Sequence, residues 1–132
     1  MFKKIKLTAS ADKNIRVVQK QENQNSLSAI KSSDDKFVLV ESQIGIGTMY
    51  ALQSIFNGIN NTFLNYNIGS PLNIPDDAPK DLIVIDANCV VDDIDIEDIY
   101  SKLEEQGFKK IIIVTMLITK EPEDRLSGIM VD

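Results

Sequence analysis

Residues 81–88 read DLIVIDAN, and this stretch decides the fold. Leu82-Ile83-Val84-Ile85 is an unbroken apolar run closed by Asp86-Ala87-Asn88. A strand with one wet face alternates apolar and polar residues, whereas an unbroken run of this kind belongs to a strand covered on both faces. Two further runs have the same character: FVLVES at 37–42 and KIIIVTML at 110–117. Helical patterns separate them. Residues 46–59 place Met49, Leu52, Ile55, Phe56 and Ile59 at helical spacing, with Gly58 near the end. Asp95-Ile96-Glu97-Asp98 reads as a capped helix start, and Ile99 and Leu103 carry that helix toward Gly107. Residues 62–66 form a short strand candidate. Residues 70–80, with three prolines, are a loop, and GIMVD at 128–132 is a last short strand. Strands alternating with helices predict an α/β fold, an open parallel sheet with helices on both faces. FVLVES, DLIVIDAN and KIIIVTML should lie side by side and parallel.

Outside this core the chain changes character. Residues 1–36 carry a balance of +4, and residues 37–132 one of −10, for a net charge of −6 over 132 residues. The first segment is polar apart from Ile5/Leu7 and Ile15/Val17/Val18, so it is expected to be a basic N-terminal arm, or a hairpin joining those two patches. Residues 19–26, QKQENQNS, are a linker by composition. Residues 37–132 form the domain proper.

Composition removes several kinds of chemistry. Without histidine, Ser-His and Cys-His catalysis and His-bound zinc are excluded. The single Cys89 makes neither an internal disulfide nor a CxxC site. No apolar run approaches the roughly 20 residues that span a bilayer, and MFKKIKLTAS lacks the apolar core of a signal peptide. A cytoplasmic protein without membrane contact is the expectation. The acidic balance argues against a protein that coats nucleic acid.

In open parallel sheets, ligands sit beyond the carboxyl ends of the strands. That rule singles out Glu41-Ser42, Asp86-Ala87-Asn88 and Thr115-Met116. Gly45-Ile46-Gly47 follows a strand as a nucleotide-binding glycine loop does, but Tyr50 stands where the third glycine belongs and no Lys-Ser/Thr follows. The glycines read instead as easing a strand-to-helix turn. The acidic run 92–98 lacks calcium-loop spacing and reads as a solvated first helical turn, and Cys89 as a small packing residue.

On these residues the chain resembles the receiver domains of bacterial response regulators, over about residues 37–132. The resemblance implies a flavodoxin/receiver-like sheet in which FVLVES is the first strand and IVIDAN the third. Asp86 would then be the phosphoacceptor and Thr115 the switch hydroxyl. Glu41, Asp86 and the backbone of Asn88 would be the ligands of Mg²⁺. The spacings of 45 from Glu41 to Asp86 and 29 from Asp86 to Thr115 suit the family. The departures matter as much. Ser42 stands where a second acid is expected, so Mg²⁺ binding should be weak. Met116 follows the Thr, the strand-five Lys is missing, and the final helix is missing or replaced.

The resemblance therefore implies an atypical receiver-like regulatory domain with impaired phosphorylation, not an enzyme and without catalytic residues. It would serve protein interaction and dimerisation as the signalling part of a bacterial transcription regulator. The partners implied are a second copy in a homodimer, a histidine kinase, and DNA only through a domain outside this chain. Two other readings stand beside it: a working phosphoacceptor using Asp86, and a flavodoxin-like protein whose crevice holds a small ligand, cofactor or anion.

Overall fold

The computed structural model describes residues 3–8, 21–43, 47–67 and 69–117. The continuous apolar runs become the middle of one sheet. In chain order the elements are β1 (Lys3–Leu7), α1 (Gln21–Ser32), β2 (Phe37–Ser42), α2 (Thr48–Ile55), β3 (Thr62–Asn65), β4 (Ile83–Val90), α3 (Ile96–Glu105) and β5 (Ile111–Met116). The sheet order is β1-β2-β5-β4-β3, and every neighbouring pair is parallel. FVLVES, KIIIVTML and DLIVIDAN are thus the three adjacent inner strands, as expected.

Each inner strand sends alternate residues to opposite faces. On one face Val38, Val40, Val84, Ile112 and Val114 pack beneath α1 and α2. On the other, Leu39, Ile83, Ile85, Ile111 and Ile113 pack against α3 and the loop residue Ala78. Ile111, Ile112 and Ile113 have no exposed surface, as the most central strand requires. Burying a side chain of this size contributes about 1.5–3 kcal/mol. Helices on both faces of an open parallel sheet is the architecture implied by the sequence.

The open parallel α/β arrangement is compatible with a flavodoxin- or receiver-like sheet. The flavodoxin-like order, 2-1-3-4-5, sets the first strand of the unit between the second and the third. Here FVLVES touches neither β3 nor β4. Its neighbours are β1 on one side and β5 on the other. No helix among the described residues is long and apolar enough to cross a membrane.

The N-terminal segment differs from the expected arm. Residues 3–7 form an edge strand with Ile5 and Leu7 buried in the α1/α2 core. Residues 21–32, read as partly linker, form α1. Its composition favours solvent, but Leu27 and Ile30 are buried against the sheet. Lys110 Nζ donates to the carbonyls of Ile30 (2.8 Å) and Ser33 (2.6 Å), which satisfies groups that a helix C-terminus leaves open. Burial of that ammonium lowers its pKa. The partner patch of the expected hairpin, Ile15/Val17/Val18, and the last strand GIMVD lie outside the described residues.

β1 is the edge strand beside FVLVES, with Ile5 and Leu7 turned under α1 and Lys4 and Lys6 exposed on the opposite face. Lysines on an edge strand discourage strand-to-strand association.

The α3 unit follows its sequence closely. Asp95 caps the helix, its carboxylate accepting from the Asp98 N–H at 3.1 Å. Gly107 ends it with φ +96°, a left-handed conformation that glycine adopts without a Cβ penalty. Tyr100, 3% exposed, crosses from α3 to the sheet and donates its hydroxyl to the Val38 carbonyl at 2.6 Å.

Candidate functional site

At the carboxyl ends of the strands the connections part. β2 leads into α2 on one face, whereas β4 leads through a short 3-10 turn (Val91–Asp93) into α3 on the other. Between them, above β5, lies a crevice of about 330 Å³. A crevice where successive connections diverge is where an open α/β sheet places a ligand.

The local chain explains what borders it. Strand alternation sends Val38, Val40 and then Ser42 toward α2. Gly47, at φ +83°, turns the chain so that α2 begins at Thr48. Ser42 and Thr48 are both buried and their hydroxyls are hydrogen-bonded to each other. Ser42 Oγ donates its one proton to the Gln43 carbonyl at 3.1 Å, so Thr48 is the donor between the pair. Gly47 offers α2 no side-chain cap, and the first turn of a helix favours negative charge.

Asp86 reaches the same crevice from β4. Leu82 and Val84 pack in the α1/α2 core, and alternation places Asp86 on that face too. Asn88 sets its surroundings. With φ +58° it holds a left-handed conformation that asparagine tolerates. Its N–H donates to Asp86 Oδ1 at 3.2 Å, and its side-chain amide donates to the carbonyls of Tyr66 (3.1 Å) and Asp86 (3.2 Å). The left-handed turn coincides with a register shift between Asp86 and Val90. Asn88 thereby ties the end of β4 to the chain leaving β3.

The residue set implied by the receiver resemblance is divided between the two faces. Glu41 and Thr115 are register partners across β2 and β5, and alternation places both on the α3 face. Glu41 is 6% exposed and forms an ion pair with Lys4, 3.1 Å from Nζ to Oε1. Thr115, 2% exposed, borders the crevice, and its hydroxyl has no hydrogen-bond partner. Asp86 and Asn88 belong with Ser42 and Thr48 instead. Glu41 and Asp86 therefore do not form one metal site, because β5 separates their strands and their side chains leave opposite faces. Among the described residues, no three His, Cys, Asp or Glu side chains are grouped to hold a metal ion. Adjacent residues in a strand face opposite ways, so Ser42, not Glu41, reaches the crevice.

Other signals resolve as local structure. Asp92 and Asp93 sit in the 3-10 turn, and Glu97 and Asp98 in the first turn of α3, where acids complement the helix dipole. Cys89 is buried, and burial, then Asp93 and Asp86, push its thiol pKa up, which disfavours the nucleophilic thiolate. Met116, at a strand end singled out by the sequence, and Met49, read only as part of the helix's apolar pattern, both border the crevice. Ser42 and Thr48, slight support in the sequence for a small-ligand site, border it too.

One expected outcome follows from the divided carboxylates. Incubation with Mg²⁺ and acetyl phosphate should leave most of the protein at its unmodified intact mass. Near-complete addition of one phosphoryl group at Asp86 would restore the phosphoacceptor reading.

No family model matches the chain, and no curated protein or solved structure is significantly similar to it.

Proposed function

We propose that this chain is a binding module for a phosphate-bearing small ligand, taken up as its Mg²⁺ complex in the crevice between α2 and the end of β4. The observation that carries the reading is the pairing of Thr48 and Asp86 on one face beneath an uncapped helix start. A helix N-terminus and hydroxyls suit phosphate oxygens. No Lys or Arg borders the crevice among the described residues. In this reading the counter-charge is carried by Mg²⁺. Mg²⁺ prefers hard oxygens, keeps several waters and needs only one or two protein groups beside the phosphates. A hydroxyl at a helix start and an acid at a strand end are a recurrent pair for that purpose. β2 and β4 are two strand spacings apart, about 10 Å, which suits a hydrated ion better than direct coordination by both side chains. This is the small-ligand reading of the fold, and it uses Asp86 to hold a cation, not to accept a phosphoryl group.

Titration calorimetry with Mg·tripolyphosphate tests it. Binding is expected with Mg²⁺ and is lost with a chelator. Thr48→Ala and Asp86→Asn should each weaken it by about tenfold, equal to about 1.4 kcal/mol. Asp86→Asn also discriminates the role of the metal: without a bridging cation the carboxylate repels phosphate, and removing its charge would tighten binding. Tighter binding by that variant, or no heat at millimolar ligand, would reject the proposal.

A further inference from the structure

We infer that the ligand of this crevice carries a planar aromatic group, as a nucleotide does, stacked on Tyr50. The inference rests on the phosphate reading above and names the other end of the same ligand. Among the described residues only Tyr50 and Ile59 are exposed large hydrophobics, and Tyr50, at 64%, is the more exposed. It also borders the crevice, two residues beyond Thr48.

The helix geometry accounts for this placement. α2 buries Thr48, Ala51 and Leu52, and with them Phe56 at its C-cap, which fixes the inward side of the helix. Tyr50 falls away from that side and contributes nothing to either core cluster. A rise of 1.5 Å per residue puts its backbone about 3 Å along the axis from Thr48. A ligand with its phosphates at Thr48 therefore meets an aromatic ring as it leaves the helix start. Met49 and Met116 border the same opening. Their unbranched thioether side chains adapt to an irregular apolar surface and favour contact with aromatic rings. An exposed ring with adaptable apolar neighbours beside a polar pocket is suited to a ligand with one charged end and one flat apolar end.

Base stacking on an aromatic side chain is worth about 5- to 150-fold in affinity. The test compares Mg·ATP and Mg·GTP with Mg·tripolyphosphate on the wild type, Tyr50→Ala and Tyr50→Phe. Both nucleotides should bind the wild type at least about fivefold tighter than tripolyphosphate. Tyr50→Ala should abolish that advantage and leave tripolyphosphate binding unchanged, and Tyr50→Phe should retain it. The chain has no Trp, so stacking should also quench tyrosine emission, and Tyr50→Ala should lose that quenching. Equal binding of nucleotides and tripolyphosphate by the wild type would overturn the stacking inference while leaving the phosphate reading in place. So would a nucleotide advantage that survives in Tyr50→Ala. Failure of all three ligands to bind would overturn both.

Discussion

Replacing Leu7 by Ala is expected to lower the free energy of unfolding by about 2–5 kcal/mol, the range for emptying a buried leucine site. Leu7 has no exposed surface and packs in the cluster formed by α1, α2 and the inner strands. Removing its side chain forfeits the transfer free energy and leaves a cavity between β1 and α1. The position also bears on the crevice, because the Gln43 N–H donates to the Leu7 carbonyl at 3.0 Å. β1 thereby anchors the first residue after β2, where the chain turns toward Gly47 and Thr48. Urea denaturation decides the matter: a fall in midpoint at unchanged slope reports lost stability of the same cooperative unit. If residues 1–36 were an arm, Leu7→Ala would change stability by less than about 0.5 kcal/mol, as surface substitutions do.

The second large effect concerns Tyr100. Tyr100→Phe removes the 2.6 Å hydrogen bond from the phenol to the Val38 carbonyl, a buried contact that adds to the strand's own pairing with β5. That carbonyl keeps its ladder place opposite β5, so the loss is that of one hydrogen bond, about 0.5–1.5 kcal/mol at neutral pH. The same substitution has a signature in alkali. Burial pushes the Tyr100 phenol far above its ordinary value of 10.0. An unfolded chain releases that proton near pH 10, and the folded chain keeps it. Above pH 10 the unfolded state therefore binds fewer protons, and the stability contributed by this group falls as pH rises. The wild type should lose its advantage over Tyr100→Phe above pH 10, by up to about 1.4 kcal/mol per pH unit. Comparing the two proteins cancels the titration of the lysines. A stability gap constant from pH 8 to pH 11 would show that the phenol is not held protonated by burial.

Leu7 and Tyr100 make joins that the strand runs alone do not reveal, and the boundary between local and non-local information runs through the whole structure. The α/β class was legible because burial on both faces leaves a local mark. FVLVES, DLIVIDAN and KIIIVTML could be continuous and apolar only as inner strands of a covered parallel sheet. The α3 boundaries were legible for the same reason, since Asp95 and Gly107 act on backbone groups within a few residues of themselves.

The N-terminal unit was not legible. KKIKL has only two apolar residues because an edge strand covered on one side needs no more. The polar α1 is held by Leu27, Ile30 and the distant Lys110, whose contributions appear only once the chain has folded. Strand order was likewise beyond reach. Nothing in FVLVES states that residues 3–7 and 111–116 will take its two edges, because backbone pairing is the same for any strand of suitable length and cover.

The site divides in the same way. The sequence alone determined that Glu41-Ser42, Asp86 and Thr115 would stand at strand ends, since each closes an apolar run. Tertiary structure decided which of them meet. A shift of one residue along a strand reverses the face, so Glu41 turns to Lys4 and the α3 layer while Ser42 turns to Thr48. Which face holds the crevice depends on where α2 and α3 pack, and that is settled by the burial of Ala51, Leu52 and Phe56 on one side and of Ile99 and Leu103 on the other. Burial pattern is written residue by residue, whereas the meeting of side chains from separate strands depends on the side to which each connecting helix crosses.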